Sequence, residues 1–154
     1  MKQLIIPAIL GITLMAFQTT PAKKTPVKPA VTKPAVAATN PLKASMERGK
    51  TVYQLRCLAC HQPDGGGVPH LNAPLDGTST VKGNDKAKLI RIVLKGMKGV
   101  EVDGEDYSNV MAPHADLLTD QQIADVLTYV RNNWTNKASA VTAAEVKAVR
   151  AKNK

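Results

Sequence analysis

Cys57-Leu58-Ala59-Cys60-His61 places two thiols and an imidazole within five consecutive residues, and it contains both cysteines of the chain. The C-x-x-C-H spacing is the attachment pattern of a c-type haem. Two thiols three residues apart on one helical turn each reach one vinyl group of the same porphyrin. The next residue, His61, then turns its imidazole toward the iron. One turn of backbone thus holds the macrocycle and one axial ligand. Competing readings explain less. A thioredoxin-like redox pair wants a βαβ setting, and no β-rich run lies nearby. A structural zinc site needs four ligands, and there is no second cysteine pair. A plain disulfide in an exported protein leaves His61 and the downstream methionine without a role.

A second axial ligand must come from a segment well removed from His61, because it has to reach the other face of the ring. The candidates are Met46, Met97, Met111, His70 and His114. Met111 fits best: Val110-Met111-Ala112-Pro113 precedes a capped helix, and Pro113 stiffens the loop and removes a donor. A neutral thioether favours the reduced metal, so His/Met ligation raises the potential. Met97 stands between glycines and reads as a loop or packing residue. His114 would give bis-histidine ligation, His70 reads as a solvated loop residue, and Met46 reads as core filling.

The elements that must position these groups read as helices. Ala44 to Leu58 forms a first helix capped near Ser45, with Met46, Val52, Tyr53 and Leu55 inward. Gln62 to Gly67, with Pro63 and three glycines, is a tight loop. Lys86 to Leu94 is a helix with Leu89, Ile90, Val93 and Leu94 on one face, stopped by Gly96. Gly99 to Val110 alternates briefly, as a small hairpin or an irregular loop. Thr119 to Trp134 has the strongest pattern: Thr119 and Gln122 form a capping box, and Ile123, Val126, Leu127, Val130 and Trp134 recur at helical spacing. Thr142 and Glu145 box a short last helix, Ala143 to Arg150. With no alternating run long enough for a sheet-based core, the predicted class is all-α.

The ends of the chain differ from its middle. Residues 1–22 read as an export signal: Lys2, an apolar run from Leu4 to Phe17, and small residues before a cleavage point after Ala22. The run falls short of the ~20 residues a bilayer span needs. Residues 23–41 form a Pro/Lys/Ala-rich tether, 42–136 the folded domain, and 137–154 a short helix with a basic tail. The net charge of +9 sits at the ends. Residues 1–41 carry five lysines and no acid, whereas residues 42–134 carry eleven basic and eleven acidic side chains. No basic stripe for nucleic acid therefore marks the folded part. Phosphate-binding loops, serine elbows and paired catalytic carboxylates are also missing from the sequence.

From about Glu47 to Trp134 the chain resembles a class I cytochrome c, of the bacterial mono-haem type found alone or joined to periplasmic dehydrogenases. The motifs that carry the resemblance are Gly49-Lys-Thr-Val-Tyr53, Cys57 to Gly65, Pro74-Leu-Asp-Gly77, Leu89 to Gly96, Met111-Ala-Pro113 and Ile123 to Arg131. The resemblance implies that Gly49 and Tyr53 pack the first helix across the last long one, against Val126 and Tyr129. It also implies that the Ala73 carbonyl accepts the His61 Nδ1 proton, orienting the ring. The chain departs from the family pattern in two places. Ala73-Pro74 replaces a proline at the carbonyl position, and Ala112 replaces the first proline of Met-Pro-Pro. Arg56, Arg91, Tyr107 and Trp134 are candidate partners for the haem propionates.

The expected function is electron transfer in the periplasm on one covalent haem c, its iron held by His61 and Met111. The expected partners are periplasmic or membrane-bound redox proteins, with no small-molecule substrate. A haem subunit docked in a dehydrogenase or oxidase complex and a peroxidase-like open iron site are the alternatives.

Overall fold

The computed structural model describes residues 40–152. The predicted leader and nearly all of the predicted tether lie outside the described residues. Six helices and one hairpin follow in the order α1 (Pro41–Arg56), α2 (Leu58–His61), α3 (Ser79–Lys82), α4 (Lys86–Lys95), β1 (Met97–Val102), β2 (Glu105–Met111), α5 (Asp120–Asn132) and α6 (Ala143–Ala151).

The first helix begins earlier than the sequence predicts. Asn40 is its cap, accepting from the Leu42 N–H at 3.0 Å, and Pro41 occupies the first turn, where a missing N–H costs nothing. Ser45 is therefore inside the helix, and its hydroxyl donates to Asp125 Oδ1 of α5 at 2.6 Å. Leu55, expected inward, is 74 % exposed.

Helix α1 packs most extensively on α5. The crossing point is Gly49, where a Cβ would stand 2.1 Å from the Asp125 carbonyl oxygen and 2.8 Å from the Tyr129 Cβ. Only glycine permits that approach. Asp125 locks the crossing from below. Its buried carboxylate accepts from Arg48 Nε at 2.7 Å, Arg48 Nη2 at 2.8 Å and Gln121 Nε2 at 3.0 Å, besides Ser45. Tyr53, Tyr129 and Trp134 pack ring against ring at the same junction, with centroids 5.4 to 6.0 Å apart.

Helix α4 runs from its Asp85 cap to Gly96 and buries the four predicted apolar residues. Thr119 and Gln122 make the predicted capping box of α5, and Thr142 and Glu145 that of α6. Helix α6, read from sequence as a short appendix, packs on α4 and α5. Val146 is fully buried there, a burial that stabilises by roughly 1.5–3 kcal/mol. Arg150 reaches Asp120 Oδ1 at 2.7 Å and the Ala115 carbonyl at 2.6 Å.

Arg131 of α5 is 1 % exposed. Its guanidinium donates to the carbonyls of Val81 (2.6 Å), Gly83 (2.9 Å) and Ser139 (2.8 Å). It thereby ties the end of α3 and the segment before α6 to the central helix.

Among the described residues, the architecture departs from a purely helical one at the β1–β2 hairpin and at an isolated bridge between Val68 and Asn72. Asp103 and Gly104 both have positive φ, 53° and 92°, as the two-residue turn that suits a hairpin's twist requires. Ser79 caps the turn by donating from its backbone N–H to Asp103 Oδ2 at 2.9 Å, and its hydroxyl also bonds that carboxylate. The ladder slips between Lys98 and Val100, at Gly99 with φ 56°. This irregularity brings Val100, three residues from Met97, to the side that Met97, Met111 and Tyr107 share, which strict alternation along β1 would not do.

Candidate functional site

The attachment motif forms α2, one turn that continues from α1. The Cys60 and His61 amides both donate to the Cys57 carbonyl, at 3.1 and 2.9 Å. The turn ends at Gln62, with φ 61°. That backbone aims the Gln62 carbonyl where the Tyr53 hydroxyl donates to it at 2.6 Å and the Gly65 amide at 3.2 Å. The aromatic junction of α1 and α5 therefore supports the motif directly. Trp134 seals the loop behind it. Its indole N–H donates to the Pro63 carbonyl at 2.9 Å, and its ring lies where a Gly65 side chain would have to go. That indole N–H is thus already committed within the protein.

His61 Nδ1 lies 2.9 Å from the Ala73 carbonyl oxygen. A carbonyl only accepts, so this contact puts a proton on Nδ1 and leaves Nε2 as the lone-pair nitrogen. Burial pushes the His61 pKa down, the Ala73 hydrogen bond opposes it, and His114 adds to the lowering. The ring is thereby held neutral, the form that binds metal. The Ala73 segment is itself fixed. A Cβ on Gly67, whose φ is +67°, would meet the Asn72 carbonyl at 2.2 Å. Two hydrogen bonds join Val68 and Asn72, and the Leu75 amide donates to the Gly65 carbonyl at 2.7 Å.

Met111 ends β2, directly opposite Met97 on β1. Gly96, with φ +70°, brings the end of α4 against it. Two adjoining cavities open between these elements. Cys57, His61, Ala73, Met97, Met111 and His114 line both. One continues inward along the apolar walls of α4 and α5. The other continues outward past Cys60, Arg56 and Tyr107. All five residues expected at the site, Cys57, Cys60, His61, Ala73 and Met111, line the outer cavity together. His70 is exposed and lines neither, whereas Met46 lies half-buried on α1, away from both. Of the candidate propionate partners, Arg56 and Tyr107 border the outer cavity, whereas Arg91 is exposed and borders neither.

The sequence leaves the hairpin's part in this site open, and Met97 reads there as a loop or packing residue. Asp103-Gly104 between Val100-x-Val102 and Tyr107 is the signal that marks it, being the strongest short-range hairpin pattern.

The residues present fit a haem. The cavity walls are largely apolar, the donor set is one neutral imidazole with soft sulfur, and both thiols stand at the rim. Burial pushes the Cys57 thiol up to about 11, with Cys60 adding to it. As a free thiol it therefore stays protonated and lacks the thiolate character of a reactive redox cysteine. His114 Nδ1, buried beside the cavity, has no hydrogen-bond partner among the described residues, as expected of a group whose partner is a cofactor.

Comparison with known proteins agrees. The cytochrome c family model matches residues 46–134. The chain is 35 % identical over 113 residues to cytochrome c-552 of Thermus thermophilus, covering 68 % of this chain and 85 % of that protein. It is 38 % identical over 109 residues to the gluconate 2-dehydrogenase cytochrome c subunit of Pantoea cypripedii, covering 68 % of this chain and 24 % of that one. It is 34 % identical over 103 residues to the cytochrome c subunit of the quinone alcohol dehydrogenase of Gluconacetobacter polyoxogenes, covering 66 % and 22 %. The chain thus spans about a quarter or less of the dehydrogenase subunits it matches. The chain belongs to the cytochrome c family. With that membership come covalent haem c and haem-based electron transfer.

Proposed function

We propose that this protein is a one-electron carrier whose haem is bonded through Cys57 and Cys60 and ligated by His61 and Met111, and that it serves redox proteins outside the cytoplasm. The observation that carries this reading is the convergence of α2, the Ala73 loop and the end of β2 on one cavity. Bound haem supplies a metal that takes up and returns one electron.

The chain's own residues supply the rest. His61 presents a neutral nitrogen whose direction is set by the Ala73 carbonyl 2.9 Å away. That bond makes the imidazole a better donor. Met111 supplies soft sulfur, which favours the reduced state. The walls of α4 and α5, with Leu89, Val93, Val126 and Leu127, keep water out and so restrain the reorganisation that slows electron transfer. His61 and Met111 would together hold the metal and keep small molecules from it, which would set a carrier apart from a peroxidase-like site.

Export is the reading of the leader, and among the described residues no helix is long and apolar enough to cross a membrane. A second reading, a haem subunit working within a dehydrogenase complex, is favoured by relatives named as cytochrome c subunits of dehydrogenases. Copurification from periplasm and membranes separates it from a free shuttle.

Absorption spectra of the exported protein in both oxidation states test the ligation. A ferric sulfur-to-iron charge-transfer band and no carbon monoxide uptake are expected. A bis-histidine spectrum or ready carbon monoxide binding overturns the reading.

A further inference from the structure

We infer that Met97 is a second thioether donor for the coordination position assigned to Met111, close enough to take the metal when Met111 is gone. The inference rests on the reading of Met111 as axial ligand and extends it to a residue of different origin in the chain.

Three observations carry it. First, Met97 and Met111 are direct ladder partners across the hairpin. Directly opposed residues of an antiparallel pair project to the same face, with Cβ atoms about 4.5–5.5 Å apart. Their neighbours in the ladder, Lys98 and Val110, are exposed, with Val110 at the edge of the outer cavity, whereas both methionines are half-buried and line both cavities.

Second, Met97 lines both cavities, as do His61, Cys57 and Met111. A core-filling methionine would border apolar residues alone, whereas this one borders the whole donor set. Methionine is unbranched, with three rotatable bonds and a soft sulfur, so it adapts to a nearby vacancy without moving the backbone.

Third, one turn places both. Gly96 closes α4 with φ +70°, and a Cβ there would stand 2.1 Å from the Met111 carbonyl oxygen. The residue immediately after Gly96 is therefore forced to start its strand against Met111. The bulge at Gly99 then returns Val100 to the same face, so the inward side stays continuous from Met97 onward.

His114 is the competing donor, since it lines the same cavities with a buried free nitrogen. It is anchored, however, by its own backbone: its amide donates to the Val93 carbonyl at 3.0 Å, and its carbonyl accepts from Leu117 and Leu118. Met97 differs in its side chain, which is unbranched with three rotatable bonds and reaches further without moving its backbone.

The test uses the exported holoprotein and the variants Met97→Ala, Met111→Ala and the double variant. In Met97→Ala the ferric sulfur-to-iron band is expected unchanged. In Met111→Ala a shifted sulfur-to-iron band is expected to persist. The ferrous proton spectrum of methyl-labelled methionine should keep one ring-current-shifted methyl, which disappears in the double variant. Carbon monoxide affinity should rise by about tenfold or more between Met111→Ala and the double variant.

If Met111→Ala has no sulfur band and binds carbon monoxide as tightly as the double variant, this inference fails while Met111 ligation stands. The same holds if its spectrum becomes bis-nitrogenous. If Met97→Ala alone abolishes the band, Met97 is the resident ligand, and both readings fall. Should Met111→Ala not fold, the unmutated protein decides. Its Met97 methyl, assigned by its loss in Met97→Ala, must already be ring-current shifted, and an unshifted methyl overturns the inference.

Discussion

Gly96 and Met111 touch through their backbones: a single added carbon on Gly96 would lie 2.1 Å from the Met111 carbonyl oxygen. The end of α4 thus sets the position of the residue proposed to ligate the metal, from a distance of fifteen residues along the chain. This contact also requires the left-handed backbone that Gly96 adopts.

Gly96→Ala is therefore expected to disturb ligation more than global structure. Alanine at positive φ costs more than about 1 kcal/mol, and the clash must be relieved by moving Met111. The ferric sulfur-to-iron band should weaken markedly while far-ultraviolet circular dichroism keeps its helical signal. An unaltered band would show that Met111 is positioned by other contacts.

Pro74 holds Ala73 in extended backbone, and Ala73 holds His61. Pro74→Gly should loosen that hydrogen bond and make the imidazole a poorer donor. The oxidised metal loses more from this than the reduced one, so the midpoint potential is expected to rise. Potentiometric titration of the two proteins side by side measures the direction. A fall in potential would contradict the orientation assigned to the ring.

Asp125 makes the α1–α5 junction sensitive to acid. Burial pushes its carboxyl upward, but the hydrogen bonds from Arg48, Ser45 and Gln121, together with the charge of Arg48, outweigh this and hold it below the usual carboxylate value. The unfolded chain, with an ordinary value near about 3.9, binds this proton more readily than the folded one. The contribution is therefore complete above that value and disappears as the pH falls through the folded one. Asp125→Asn should cost about 1–3 kcal/mol at neutral pH. Urea midpoints of the two proteins should converge as the pH drops below about 4.

Val146 tests whether α6 is part of the folded unit. Val146→Ala is expected to cost about 2 kcal/mol, because the side chain is fully buried against α4 and α5. The ferric spectrum should not change, since Val146 borders neither cavity. An unshifted denaturation midpoint would mark α6 as a mere appendix.

Legibility of this chain followed locality. Thr119 with Gln122, Thr142 with Glu145, and the spacing of Leu89, Ile90, Val93 and Leu94 identify their helices because caps and periodicity are encoded within a few residues. Cys57 to His61 are equally plain, since a chemical attachment fixes their spacing. The first cap was misplaced because Asn40-Pro41 lies inside a proline-rich stretch that reads as linker, while Ser45 looks like a cap and instead serves Asp125 eighty residues away. Leu55 reads as inward and is exposed, because a helical pattern does not say how wide the covered face is. The placement of Met97 was hidden for a related reason. Strand register and the Gly99 bulge decide which residues face inward, and those are properties of a pairing rather than of either segment alone.

Arg131 has a consequence of a different kind. Its partners are backbone carbonyls and the Ser139 hydroxyl, and neither they nor a guanidinium gain or lose protons at ordinary pH. The corner where α5, the end of α3 and the approach to α6 meet is fastened by a joint with no titrating member. As the surroundings turn sour, the seam at Asp125 loosens, while that fastening keeps its hold on the wall behind the cavity.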